Sequence, residues 1–151
     1  MTTAPDLAPR ATAWSAALHA EVQQFYAHQM QLLDLSEAES WAATFTEDAT
    51  FAVPTLPEPV RGRAGLAAAT TRSHAELAAA GQRHRHFLGM LDVRPRPDGA
   101  VDVRSYAIVY VSDIGGESRV HRVCVCEDVL VRDEDGALKV SARTVTRDDL
   151  A

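Results

Sequence analysis

Residues 81–93 read GQRHRHFLGMLDV, and the fold turns on how they are divided. Before them lies GRAGLAAATTRSHAELAAA (62–80), an alanine-rich run with helical character, and Gly81 is placed as its C-terminal stop. After Gly81 the pattern changes to period two. His84 and His86 stand at i, i+2, so a strand puts both imidazoles on one face. Gly81 is therefore where a helical half gives way to a sheet.

Upstream, Trp14, Leu18, Val22, Phe25 and Leu32 recur near 3.6 residues and predict one long amphipathic helix. Ser36 and Glu39 form an S-x-x-E pattern, which predicts a capping box opening a short helix that carries Trp41 and Phe45. TFAVP (50–54) reads as a short strand closed by proline, and TLPEPVRGRAG (55–65) as a loop. Downstream, four strands are expected from HRHFLGMLDV, AVDVRSYAIVYVSD, SRVHRVCVCEDVLVRD and LKVSARTVTRD, with turns at RPRPDG, DIGGE and DEDG. Helices first and long antiparallel strands second is the α+β pattern. The expected architecture is a strongly bent antiparallel sheet with three N-terminal helices enclosing a pocket. Residues 1–12 are expected to form a flexible arm, and 13–151 a single domain.

The bulk composition excludes several classes. A formal charge of −6 with arginines spread among acids leaves no basic face for a nucleic acid. No apolar run approaches the roughly 20 residues that span a bilayer. MTTAPDLAPRATAW lacks the basic and apolar regions of a signal peptide, and Cys124 and Cys126, at i, i+2 on a strand, are unsuited to a mutual disulfide. A reduced, cytoplasmic protein is the expectation.

Three chemistries compete for the histidines. A metal site needs more than an H-x-H pair, and only His121 offers itself as a third ligand, so no metal or other cofactor is expected. A nucleophilic cysteine needs a basic neighbour, which the apolar strand around Cys124 and Cys126 does not supply. General acid–base catalysis needs a titratable group near neutrality in a partly dry pocket with a partner to orient it. His86, flanked by apolar residues, meets that description, and Asp34, Glu127, Tyr106 and Tyr110 are its candidate partners.

Strand parity sorts Tyr106, Ile108 and Tyr110 onto one face and Val103, Ala107, Val109 and Val111 onto the other. The first face is taken for the pocket. The second, with Cys124 and Cys126, is taken for a homodimer interface because it is too apolar to stay wet.

LLDLSEAESWAATFTEDATFAVP, RHFLGMLDV and CEDVLVRDEDGALKVSARTVTRDD, in that order, resemble three stretches of the small (β) subunits of aromatic-ring-hydroxylating dioxygenases. The resemblance implies the nuclear transport factor 2-like fold, shared by SnoaL-like polyketide cyclases, ketosteroid isomerases and scytalone dehydratase. HFLG (86–89) is also similar to the segment carrying a catalytic histidine in scytalone dehydratase. That likeness puts Asp34 at the family's acidic position, Tyr110 near its second histidine and Glu127 near its pocket asparagine. Met90 stands where the dioxygenase subunits have a polar residue. The expected function is a cofactor-free cyclase, dehydratase or isomerase for a small apolar oxygenated molecule of polyketide type. His86, Asp34, Tyr110 and Glu127 would be catalytic, with Tyr106, His121, Trp41, Ile108, Met90 and Leu88 holding the substrate. The alternative is a non-catalytic small subunit of a dioxygenase.

Overall fold

A computed structural model describes residues 15–151; Trp14 and the expected arm lie outside the described residues. The elements are α1 (Ala16–Asp34), α2 (Ala38–Ala42), β1 (Phe45–Ala52), β2 (Val60–Arg61), α3 (Gly62–Ala80), β3 (Gln82–Pro95), β4 (Val101–Asp113), β5 (Ser118–Arg132) and β6 (Leu138–Arg147). One sheet runs in the order β2-β1-β6-β5-β4-β3. The four long strands form the expected antiparallel meander, but β1 pairs parallel to β6, so the sheet is mixed. Parallel neighbours need a long crossover. Here α3 and the meander itself supply it.

Helix ends set the site. Ser15 opens α1 by accepting the Leu18 N–H at 3.2 Å. At the other end Ser36 adopts a left-handed φ of 64°, its N–H donating to the Leu33 carbonyl while the Glu37 N–H donates to that of Leu32. This pair of bonds is a Schellman stop. Ser36 is consumed in ending α1, so the expected capping box does not form, and α2 starts from Glu37 with no side-chain cap. Asp34 thereby becomes the last residue of α1. Gly81 ends α3 at φ 65°, as expected.

Bulges bend the sheet. Met90 (φ 54°) and Leu91 together oppose Ser105, and His121 is an extra residue in β5 between the partners of Val109 and Tyr110. Along β4 the odd positions from Val101 to Val111 are buried, whereas Tyr106 and Tyr110 are 46% and 39% exposed. This reverses the sequence reading: the face of Val109, Val111, Cys124 and Cys126 is interior, and that of Tyr106, Ile108 and Tyr110 is outer. α1 packs against β3, and α3 against β1 and α2. The main core joins Val22 and Tyr26 of α1, Trp41, Phe45, Leu66, and sheet residues Val93, Val103, Leu130 and Val140.

A polar chain runs through this core. Arg143 donates to both oxygens of Asp128 (2.9 and 2.8 Å) and to Gln29 Oε1 at 2.8 Å. Tyr26 donates to Asp128 at 2.7 Å, and Gln29 donates to Thr44 Oγ1 at 2.7 Å. The Arg143 guanidinium also lies 5.4 Å from the Phe45 ring centre and 5.8 Å from those of Tyr26 and Phe51. Burial and the Asp128 charge push the Tyr26 phenol well above its ordinary value, so it stays a donor. Breaking such a pair from one side strands a buried charge. Arg143→Ala is expected to cost about 3–5 kcal/mol of folding stability, and Arg143→Met combined with Asp128→Leu to recover most of it. Urea denaturation measures both; a loss under about 1 kcal/mol for the single variant, ordinary for a surface position, would show that the pair does not hold the core.

Candidate active site

His86 lies on the interior face of β3, paired with Val109 of β4, and Asp34 reaches it from the end of α1. The carboxylate takes two bonds from this one residue: His86 Nδ1 stands 2.7 Å from Oδ1, and the His86 backbone N–H donates to Oδ2 at 3.1 Å. Side-chain exposure is 8% for Asp34 and 24% for His86. With Nδ1–H given to the carboxylate, the neutral ring keeps its lone pair on Nε2. Among the described residues nothing hydrogen-bonds to Nε2. The arrangement is an oriented base whose protonated form has a counter-charge already in place.

A negative side chain at a helix C-terminus opposes the helix dipole, at a cost of about 0.3–1 kcal/mol. The two His86 donors offset that cost. Beyond His86 the interior sheet face is paved with small side chains: Ala107, Cys124, Cys126 and Ser105, all buried. Ser105 Oγ and Trp41 Nε1 are buried polar atoms without a hydrogen-bond partner among the described residues. Burial raises both thiols, that of Cys126 to about 12, so neither is a nucleophile near neutrality.

His84 and His121 stand next to the dyad. The His84 ring centre is 6.1 Å from that of His86 and 5.0 Å from that of His121, which the β5 bulge turns toward it. Burial, followed by the neighbouring charges of His86, His121 and Arg122, holds His84 down to about 4. Burial and Arg122, Arg147 and Arg119 also lower His121. The described residues contain no group of three His, Cys, Asp or Glu side chains arranged to hold a metal ion.

Of the expected site, the structure brings together His86 and Asp34; His121 stands nearby, with His84, which has no role in the expected site, adjoining both histidines. Leu88 follows His86 on the interior face and packs on both core clusters. Tyr106, Ile108 and Tyr110 lie on the other face of β4. Glu127 is on that outer face too, 3.8 Å from Arg104, with its side chain 58% exposed. Met90 is thrown outward by its bulge and is 78% exposed. Trp41 is a core residue, edge-on to Phe45 at 4.9 Å. Sequence reasoning missed Ser105, Tyr26, Asp128 and Arg143; the odd-even pattern of β4 and β5 held that signal, read for the wrong side. A groove of about 530 Å³ between α1, α2 and the β5–β6 turn, lined in part by Phe25, His28 and Lys139, contains neither dyad residue.

No curated protein matches the chain. Among solved structures, ActVI-ORFA from Streptomyces coelicolor is 36% identical (TM-score 0.82; 89% of this chain, 100% of that one). Aln2 from a Streptomyces species is 32% identical (TM-score 0.84; 91% and 96%). A Catenulispora acidiphila protein in complex with S-DNPA is 35% identical (TM-score 0.80; 89% and 96%). A dioxygenase β-subunit structure from Novosphingobium aromaticivorans, 21% identical (TM-score 0.70; 91% and 94%), shares the fold alone. The model of one family, described as a SnoaL-like domain, matches residues 14–144. With a curved mixed sheet and helices packed on its interior face, this chain belongs to the SnoaL-like domain family, within the nuclear transport factor 2-like superfamily.

Proposed function

We propose that the protein is an acid–base enzyme, requiring no cofactor, that cyclises, dehydrates or isomerises a small apolar oxygenated molecule of polyketide type. The observation that carries this reading is the two-bond clamp of Asp34 on His86. His86 Nε2 takes a proton from a carbon next to a carbonyl, leaving an enolate. Asp34 stabilises the imidazolium, which returns the proton at a different atom or to a departing hydroxyl. Membership of the SnoaL-like family and the likeness to ActVI-ORFA and Aln2 support an enzyme of this kind. A purely scaffolding subunit has no use for a buried carboxylate aligned on an imidazole with an open Nε2.

His86→Ala is expected to fold and to lower kcat by about 10²–10⁴, the usual worth of a positioned proton carrier. Asp34→Asn acts in the same direction for a geometric reason. Asn has one acceptor and one amide donor where His86 presents two N–H groups, so the ring turns to its other tautomer and Nε2 loses its lone pair. The combined loss should be less than additive. Turnover assays on candidate polyketide intermediates read all three, and near-wild-type turnover by His86→Ala removes the assignment.

His84 gives a pH test of the same corner. Its folded value of about 4 lies below the ordinary 6.5, so between those limits the unfolded chain takes up a proton that the folded chain refuses. Its contribution therefore makes the fold less stable as pH falls through that window. His86, His121, Arg122 and Asp34 are the charged groups that act on it. Imidazole NMR should give a midpoint near 4, and His84→Gln should flatten the stability slope between about pH 6.5 and 4. A midpoint above 6 would contradict the burial.

A homodimer belongs on the outer face, not on the interior one first expected. Phe87, Ile108 and Val123 form one row across β3, β4 and β5, and Tyr106 and Val125 the next. Phe87 is 64% exposed and Val123 40%. Rows of this kind are covered in stable proteins. Light scattering should give twice the chain mass, falling to one on Phe87→Glu with Val123→Glu; a monomeric parent overturns the interface.

A further inference from the structure

The R-H-R-H stretch at residues 83–86 opens β3, and strand alternation sends its two kinds of side chain to opposite faces. The histidines take the interior, so Arg83 and Arg85 lie on the outer face, both exposed. Elsewhere in the sheet Arg104 faces Glu127, Arg119 bonds Asp113, Arg132 bonds Glu21 and Arg147 bonds Asp149. Among the described residues Arg83 makes no hydrogen bond or ion pair, and Arg85 reaches only the His84 carbonyl, at 3.5 Å. Two guanidinium groups side by side repel each other. What faces them across the sheet is hydroxyl. Arg83 pairs in register with Ser112 and Ser112 with Ser118, while Arg85 pairs with Tyr110. The two serine hydroxyls are 2.6 Å apart, so one donates to the other and one hydroxyl hydrogen stays free. The β5 bulge at His121 makes this corner: its extra residue puts Ser118, instead of Arg119, opposite Ser112. Asp113, which follows Ser112, has both oxygens engaged, by Gln82 and by Arg119, each at 3.0 Å.

We propose that this outer corner of the sheet is a binding site for a phosphate group, free or esterified. Arg83 and Arg85 hold the charge, and the Ser112–Ser118 pair and the Tyr110 phenol complete the donors. The site lies on the face opposite the dyad, beyond the apolar row of Phe87, Ile108 and Val123, and it does not rest on the acid–base reading. Strand geometry confines the Cα atoms of these residues to a patch of roughly 7 Å by 10 Å, which arginine side chains span. The ligand class follows from the donor layout. A carboxylate has two oxygens in one plane, and a single guanidinium fork satisfies both. Here two forks stand on one strand and hydroxyls on the next two, an arrangement suited to three oxygens spread in space. A phosphate monoester presents three such oxygens and close to two negative charges near pH 7.5, matching the two guanidinium charges.

The test reads binding and not turnover, so its outcome is separate from that of the catalytic assignment. Inorganic phosphate, phenyl phosphate and acetate are titrated into the full chain at low salt, near pH 7.5, and followed by amide NMR. The better-bound phosphate should bind at least about 10-fold more tightly than acetate, the ordinary worth of a charge-assisted pair. Its shifts should centre on Arg83, Arg85, Ser112 and Ser118, and its affinity should fall as salt rises. Tighter binding of phenyl phosphate supports an ester as the ligand, and binding of inorganic phosphate at least as tightly supports the free ion. Arg83→Gln and Arg85→Gln should each weaken the phosphate about 10-fold, and Ser112→Ala with Ser118→Ala by a few-fold. Glu117 is exposed beside Ser118 and opposes an anion there, so Glu117→Gln should tighten binding. Arg72→Gln removes an equally exposed and unpaired arginine from α3 and should change nothing. Equal affinity for phosphate and acetate, equal losses in Arg72→Gln and Arg85→Gln, no saturable binding at millimolar phosphate, or shifts confined to His84 and His86 would each overturn the site.

Discussion

The bond between the end of α1 and the middle of β3 is the constraint on which the site depends. Asp34 is a carboxylate at the wrong end of a helix dipole, almost fully buried, and held by two donors from a single residue. Neither bond exists unless α1 stops at Asp34, and it stops there because Ser36 accepts a left-handed backbone. A Ser in that conformation costs more than Gly would. The turn that ends the helix and the pair that orients His86 are thus one local device, with strain at Ser36 offset by the hydrogen bonds it closes.

A second polar device sits at the other end of the same interior face. Arg143, Asp128, Tyr26, Gln29 and Thr44 form one hydrogen-bonded chain inside the core, which Thr44 extends to the Trp41 carbonyl, and three aromatic rings lie near the guanidinium. Buried ion pairs seldom add net stability over apolar replacements of the same volume. Their geometry, however, is demanding, and this one ties α1 to β5 and β6. The helix that delivers Asp34 is therefore fixed at two points along its length, at Tyr26 and Gln29 and again at its end.

Much of this is legible in the chain. The extents of α1 and α3, the stop at Gly81, the four long strands and the meander follow from periodicity and turn residues. His86 on an apolar strand is readable as an acid–base candidate. Asp34 comes chiefly from family resemblance, since nothing local distinguishes it from any acid near a helix end. The inward face of β4 is not legible, for a physical reason: Tyr106, Ile108 and Tyr110 are as apolar as Val103, Ala107 and Val109, so alternation tells the two faces apart without saying which is inside. Bulges are invisible as well. The one at His121 flips its parity and carries it to His84, and the one at Met90 throws that side chain out of the site. Parallel pairing of β1 with β6 is a long-range choice that no short window of sequence records.

These differences share a cause. Both faces of the central strands carry apolar side chains, the interior one packed under the helices and the outer one exposed. Side-chain size then separates them better than polarity does. The interior face beside His86 carries the small residues Ser105, Ala107, Cys124 and Cys126, while the outer face carries Phe87, Tyr106 and Tyr110. At the opposite end the interior is filled by Phe45, Leu130 and Val140, which are fully buried. The interior face is thus packed by large residues at one end and floored by small ones at the other. The small-floored end is where the Asp34–His86 dyad stands, with His84 and His121 beside it.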